Sequence, residues 1–305
     1  MRRNETVKED KGTDMEREIV KVLEIIAVAA VLCVLEMIRE IHTFKVIHYT
    51  VTAPKLVGEE TKFVLLSDLH NKVYGKHNKR LLYAITKQRP DAILIAGDML
   101  VGKKGVYPKP AMEFVKSLAN ICPVFYANGN HEQRMKENPA NYSHVYERYK
   151  KELSAEQVIF LENRSVVREW NGDLFTISGL EIPYEGYAKR KYHKVTEAEI
   201  EQRIGKASRA SYQILIAHNP SHVPAYKEWK ADLVVSGHFH GGLVRLPFLG
   251  AVITPQLKIF PRYSGGIYRE GQTTTVVSRG IGEHTIPVRL FNTPEVVVLH
   301  MKGRQ

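Results

Sequence analysis

Short apolar runs along this chain end, one after another, in side chains that bind metal ions. "FVLLSDLH" ends in Asp68 and His70, and "AILIAGDM" contains Gly97-Asp98. "VFYANGNHE" delivers Gly129, Asn130, His131 and Glu132. "YQILIAHNP" carries His218, and "DLVVSGHFHGG" carries Gly237, His238 and His240. Carboxylates, imidazoles and an amide carbonyl, with no thiolate, make a mixed nitrogen and oxygen set. Such a set suits Mn, Fe or Zn better than Ca. Asp68, His70, Asp98, Asn130, His218, His238 and His240 are too many ligands for one ion. Two divalent ions sharing a bridging carboxylate would use them all, at the separation of about 3.5–4 Å typical of two-metal hydrolases. A pair of this kind lowers the pKa of bound water and clamps both oxygens of an in-line displacement at phosphorus.

Each fragment alone has an ordinary explanation. Asp-x-His serves as a turn or a helix cap, Gly-Asp as a turn, and His218 before Asn-Pro as a loop histidine. Five strand ends in series, each yielding a ligand type, are not accounted for in that way. His238 and His240 are alternate residues, and alternate residues of a strand share a face. The glycines beside them permit unusual backbone angles and close approach.

The elements that must position these residues are legible too. Segments of helical character separate several of the runs: "KHNKRLLYAITKQ", "PAMEFVKSLAN" and "TEAEIEQRIGKAS". Continuous apolar strands alternating with helices predict an α/β fold with a sheet buried on both faces. Sites in such folds gather at the carboxyl ends of strands, so the ligands should converge. "VIHYTVTAPKL" reads as a strand leading into the globular part. After Gly242, "TTTVVSRG" and "PEVVVLHM" read as strands of a second, shorter-stranded and more antiparallel sheet. Residues from about 50 to 305 can form one domain.

The N-terminal part differs. Residues 1–21 are polar and predict a flexible tail. Residues 22–41 predict a single membrane-anchoring helix, centred on the uninterrupted apolar stretch 25–35, with Glu24 and Glu36 at its ends. Residues 22–38 span about 25 Å as a helix, a little short of a bilayer's hydrocarbon core. A buried or partner-binding amphipathic helix and a cleaved signal peptide are the competing readings. Lys and Arg are denser before the segment (Arg2, Arg3, Lys8, Lys11, Arg17, Lys21) than just after it (Arg39, Lys45, Lys55). The positive-inside rule then puts residues 42–305 outside the cytoplasm, at the cell membrane. Cys33 and Cys122 form no CxxC motif and read as buried hydrophobes. The net charge of +11 fits anionic partners. Without a basic run interleaved with aromatics, nucleic acid is not an expected partner.

The order Asp68-x-His70, Gly97-Asp98, Gly129-Asn130-His131-Glu132, His218, Gly237-His238-x-His240 resembles the calcineurin-like metallophosphoesterase superfamily, across about residues 60–300. "VSRGIG" and "IPVRLFNTPEVVVL" are similar to its YkuE-like bacterial branch, whose members often begin with a membrane or export segment. The resemblance implies a double β-sandwich flanked by helices, in four layers (αββα). It implies one metal on Asp68, His70, Asp98 and His240, and another on Asp98, Asn130, His218 and His238, with Asp98 bridging. It further implies that water or hydroxide between the metals attacks phosphorus while His131 protonates the leaving-group oxygen. Glu132 would orient His131. Two departures stand out. Many relatives carry a second acid where this chain has Val101, and the Asp-Arg of the Ser/Thr phosphatases is absent. Lys103 and Lys104 follow instead, either to bind an anionic substrate at the rim or as a solvated loop.

The expected activity is a membrane-anchored, two-metal phosphoester hydrolase. It would act as a phosphodiesterase or pyrophosphatase on lipid or cell-envelope phosphoesters, including substrates like UDP-2,3-diacylglucosamine. A metal-binding membrane scaffold or sensor and a nucleotide or nucleic-acid phosphodiesterase are the alternatives. A scaffold does not need His131, and a nucleic-acid enzyme needs a basic groove.

Overall fold

The computed structural model describes residues 3–187, 193–283 and 287–303. Arg2 of the expected tail and Ile286, the first residue of the second family-like block, lie outside them. Helix α1 (Arg3–His42) leads into strands β1 (Lys45–Ala53) and β2 (Thr61–Leu66). Then come α2 (Lys79–Thr86), β3 (Ala92–Ala96), α3 (Lys109–Ala119), β4 (Val124–Ala127), α4 (Asn130–Glu137), α5 (Val145–Ala155) and β5 (Ile159–Phe160). The second half runs through β6 (Arg164–Trp170), β7 (Asp173–Leu180), α6 (Glu197–Ile204), β8 (Tyr212–Ala217), α7 (Val223–Glu228) and β9 (Leu233–Ser236). A hairpin of β10 (Val244–Leu246) and β11 (Gly250–Ile253) follows, then β12 (Gly266–Glu270), β13 (Thr273–Val277) and β14 (Glu295–Gly303).

The strands build two six-stranded sheets, ordered β1-β14-β2-β3-β4-β5 and β12-β13-β9-β8-β7-β6. Apolar side chains on both faces of the central strands β2, β3, β4, β8 and β9 dictate the layering. On β2, Val64 and Leu66 pack with Leu81 of α2 and Phe114 of α3, while Phe63 and Leu65 turn to the other face. There they meet Phe175, Ile214 and Val235 of the second sheet. On β8, Leu215 and Ala217 face outward onto Ile200 of α6 and Tyr226 of α7. The result is helices, sheet, sheet, helices, as the αββα expectation requires.

β2, β3 and β4 are parallel in one sheet, and β7, β8, β9 and β13 in the other. The carboxyl ends of β2, β3, β4, β8 and β9 therefore come together where the two sheets meet. The late strands correct one expectation. β13 and β14 form no separate sheet: β13 pairs parallel with β9, and β14 lies between β1 and β2 in the first sheet. The physical reason is the run "VVVL" of β14, apolar on both faces. Val296 and Val298 join the helix-side core and Val297 and Leu299 the inter-sheet core.

The N-terminal expectations are corrected as well. From Arg3 onward the polar stretch is continuous helix with the apolar one, where a flexible tail was expected. Among the described residues, no helix is long and apolar enough to cross a membrane. The uninterrupted apolar part of α1 rises only about 17 Å, and Lys21, Glu24, Glu36, Arg39 and Glu40 crowd its ends.

The end of α1 is instead seated on the globular part. Glu40 is buried, and its carboxylate accepts from the Asn292 backbone N–H at 2.9 Å and the Thr293 hydroxyl at 3.0 Å. Lys72 donates to the Ile41 carbonyl at 2.7 Å. Glu40→Ala would leave the Asn292 N–H and the Thr293 hydroxyl without their acceptor, a loss of about 1–3 kcal/mol. Urea unfolding of the full chain should show a lower midpoint with an unchanged slope.

Candidate metal centre

Every residue of the expected ligand set lies just past a strand. Asp68 and His70 follow β2, Asp98 follows β3, Asn130 opens α4 after β4, His218 follows β8, and His238 and His240 follow β9. Among the described residues, two groups of donors close enough to share a cation are Asp68, His70, His240 and Asp98, His218, His238. The first falls within one of the two ligand sets that the resemblance implies and the second within the other. His70 and His240 stack with centroids 5.0 Å apart and bring their Nε2 atoms to 3.1 Å. His240 Nε2 lies 3.4 Å from Asp68 Oδ1, and His218 Nε2 lies 3.1 Å from Asp98 Oδ2.

Tautomers are set by the ring nitrogens that face the backbone. His218 Nδ1 donates to the Ala96 carbonyl at 2.6 Å, which leaves Nε2 as the lone-pair atom facing the carboxylates when the ring is neutral. His131 is wired the opposite way. The Gly102 N–H donates to its Nδ1 at 2.8 Å, so a neutral His131 carries its proton on Nε2. His131 also belongs to a group with His70 and Asp98, its ring edge-on to His70 at 4.8 Å. Its backbone N–H donates to Asp98 Oδ1 at 2.8 Å.

Both carboxylates are buried, and their electrostatics differ. Burial pushes Asp68 up to about 6, with His218 pulling down and Asp98 pushing further up. Burial opposes charge on Asp98 too, but His218 and His131 hold it well below the usual carboxylate range. For His218 burial is likewise outweighed, and the charge and hydrogen bond of Asp98 raise it to about 10. Burial, then the charge of His218, keeps His238 well below the imidazole range and therefore neutral. His131 is lowered, by burial first. Asp98 and His218 thus favour each other's charged forms and lie in hydrogen-bond contact at 3.1 Å.

The donor set fits divalent ions by a further observation. Asn130 is buried, and its side-chain carbonyl oxygen has no hydrogen-bond partner among the described residues. A buried, unpartnered acceptor costs free energy unless something at the site meets it.

The backbone holds these residues in an unusual conformation. Asp68, His70, Asp98, His238 and His240 all have positive φ, between 48° and 72°. For residues with a Cβ this region costs about 1–2 kcal/mol each. His238 and His240 therefore do not sit on an extended strand. β9 stops at Ser236, and the shared orientation comes from two left-handed residues rather than strand alternation. Gly237 does not turn the chain. A Cβ there would lie 2.3 Å from Asp68 Oδ2, so only glycine lets β9 approach the carboxylate.

Sequence reasoning missed the residues that hold these loops. Glu132 does not orient His131. Its buried carboxylate accepts from the N–H groups of Asp98 (2.8 Å), Leu100 (3.0 Å) and Gly129 (3.0 Å), and from the Tyr126 hydroxyl (2.9 Å). It therefore ties the loop after β3 to the start of α4. The spacing from Gly129 to Glu132 is that of a capping carboxylate at the third helical position, the available signal. Burial, then Asp98, pushes Glu132 up to about 7, against the pull of the Leu100 and Asp98 N–H groups. Under His240, buried Arg289 donates to the carbonyls of His240, Asn292, Arg279 and Gly282. Asn292 donates to those of His240 at 2.7 Å and Gly242 at 2.6 Å. A lone arginine within "PVRLF" was the visible hint. Lys103 and Lys104 are exposed, and the charge of Lys103 is among those that lower His131.

The model for calcineurin-like phosphoesterases matches residues 61–242. The chain belongs to this family. The metallophosphoesterase YkuE of Bacillus subtilis is 34% identical over 106 residues, 34% of this chain and 36% of that protein. This chain is thus matched to only about a third of YkuE's length. A metallophosphoesterase of Campylobacter jejuni is 26% identical over 98% of this chain and 74% of its own length. The phosphodiesterase YaeI of Escherichia coli is 24% identical over 79% of this chain and 82% of its own length. Among solved structures, the phosphopantetheinyl hydrolase of Mycobacterium tuberculosis aligns with a TM-score of 0.41 at 15% identity, over 72% of this chain and 89% of that one. Family members use divalent metals, and the residue groups above could bind them.

The four groups that Glu132 accepts from are all donors. Glu132→Gln would turn an amide NH2 toward two of them. A loss of about 2–4 kcal/mol is expected, read as a lower melting temperature for the full chain. An unchanged melting temperature would remove Glu132 from this role.

Proposed function

We propose that this chain is a two-metal phosphoester hydrolase that cleaves phosphodiester or pyrophosphate bonds. The observation that carries this reading is the convergence of two buried carboxylates, four imidazoles and an unpartnered amide oxygen, with the Nε2 proton of His131 at their edge. Asp68, His70, Asp98 and His240 would hold one cation, and Asp98, Asn130, His218 and His238 the other, Mn, Fe or Zn by donor type. Bound there, the pair would polarise the phosphoryl oxygens and make an attacking water more acidic.

The chain's own residues do the rest. Asp98 is shared by the two sets, so it fixes their spacing. His131, its Nδ1 occupied by the Gly102 N–H, presents Nε2–H to the oxygen of the departing group. Glu132 holds the backbone of Asp98, so the bridging carboxylate and the start of α4 keep one relative position. The diester preference is supported by the similarity to YaeI, a phosphodiesterase.

The finer substrate reading is a lipid or cell-envelope phosphoester, of which a UDP-2,3-diacylglucosamine-like pyrophosphate is one form. We place the protein at a membrane surface. Supporting this, Leu23, Ile25, Ile26, Val28, Val31 and Leu32 of α1 are all exposed. An unpartnered apolar surface of this extent marks an interaction site.

A metal-binding scaffold is the second reading, and His131 separates the two. His131→Ala should lower kcat for bis-p-nitrophenyl phosphate about 10²–10⁴-fold with Mn, while metal content by elemental analysis stays as in the wild type. Asp98→Asn should lose both metal and turnover. Wild-type protein that retains metal but turns over no phosphoester would establish the scaffold instead.

A further inference from the structure

A cavity of about 590 Å³ opens beside the candidate metal centre, with His238 in its wall. The volume is within the range of small-molecule sites. Tyr187, Phe239, Leu257, Lys258 and Tyr263 line it. Tyr187 stands edge-on to the His238 ring at 5.2 Å. Phe239 lies beneath the Lys258 ammonium, 5.1 Å from its ring centroid, and Lys258 reaches the Ser221 hydroxyl at 2.8 Å. Gln256 donates to the His238 carbonyl at 3.0 Å, so the segment forming the outer wall is tied to the candidate ligand loop.

Leu257 and Lys258 line the cavity together with Arg262, and Leu257 is 62% exposed. Ile259 and Phe260, which follow on the same segment outside the lining, are 70% and 58% exposed. The Phe260 N–H donates to the Val252 carbonyl, so this segment extends the β10–β11 hairpin, whose turn exposes Phe248 and Leu249. A cavity lined by Tyr187, Phe239, Leu257 and Tyr263, with Lys258 and Arg262 at its wall, suits an amphiphile better than a wholly polar ligand. The cations meet an anionic oxygen, and the apolar walls meet the chain attached to it.

We infer that this cavity is an alkyl- or acyl-chain subsite, and that the substrate is an anionic phosphoester carrying an apolar tail. The inference rests on the hydrolase reading and adds the part of the substrate that is not cleaved. The phosphorus sits at the metal centre, the tail runs past His238 over Phe239, and Leu257 closes over it. A water-soluble nucleotide or a phosphorylated sugar would leave this wall unused.

The test is a series of alkyl p-nitrophenyl phosphodiesters from methyl to octyl, turned over by the full chain with Mn. Each buried methylene is worth about threefold to fourfold, so kcat/KM should climb steeply with chain length. Leu257→Ser should reduce the octyl-to-methyl ratio at least about tenfold, and Leu257→Met should keep it. A wild-type ratio near one overturns the subsite and leaves the hydrolase reading intact. If the metal-loaded protein turns over no member of the series, the hydrolase reading fails. Calorimetry with octyl phosphate against methyl phosphate then decides the subsite by itself: tighter octyl binding supports it, and equal binding overturns it.

Discussion

Two carboxylates buried next to one another, Asp68 and Asp98, set the terms for everything around them. A buried charge is costly unless it is paired and hydrogen-bonded. Here the opposing charge comes from His218, and the remaining oxygens are met by short-range donors. The Ser67 hydroxyl reaches Asp68 at 2.5 Å, and the His238 N–H reaches it at 3.1 Å. The His131 N–H reaches Asp98 at 2.8 Å. Each donor comes from a loop that itself carries a proposed ligand or the proposed acid. These contacts hold the strand ends together, so that the residues of both proposed ligand sets face one another.

That geometry is strained, and the strain is carried by specific contacts. Five residues of the candidate ligand set have left-handed backbones, a conformation that exacts free energy from residues with a Cβ. They persist because their own N–H and C=O groups are tied across loops. The Asp68 N–H bonds to the Gly97 carbonyl, the His70 N–H to the Asp98 carbonyl, and the Gly282 N–H to the Asp68 carbonyl. Glu132 clamps the loop after β3 from one side, and Arg289 and Asn292 clamp the loop after β9 from the other. Glu40 in turn accepts from Asn292, so the last turn of α1 reaches the backbone of His240 through one intervening residue.

Much of this was legible in the sequence, for a physical reason. Strands buried on both faces read as unbroken apolar runs, and the polar residues that end them stand out. That made β2, β3, β4, β8 and β9, and the residues after them, readable from "FVLLSDLH" to "DLVVSGHFHGG". What was not legible depends on long-range pairing. Nothing local to "PEVVVLHM" says that β14 inserts between β1 and β2, because the partner strands are more than two hundred residues away. The helical state of residues 3–21 was hidden because polar composition alone does not distinguish a tail from an exposed helix. Glu132 was misread for a subtler reason. Its neighbour His131 suggested a pair, whereas at the third position of a helix a carboxylate points back at the turn before it.

The candidate centre and the cavity wall beside it come from different stretches of the chain. Every proposed metal ligand, and His131, lies within residues 61–242, the part that the family model matches. Lys258, Leu257, Ile259 and Phe260 lie beyond it, on a segment fastened to the hairpin and to the His238 carbonyl rather than buried in either sheet. The metal centre tolerates little change, since a Cβ on Gly237 or Gly129 would strike Asp68 or Asp98. The hairpin segment is free of that constraint. On the proposed reading, the buried centre acts at phosphorus while Phe239, Leu257 and Tyr263 receive the apolar group attached to it.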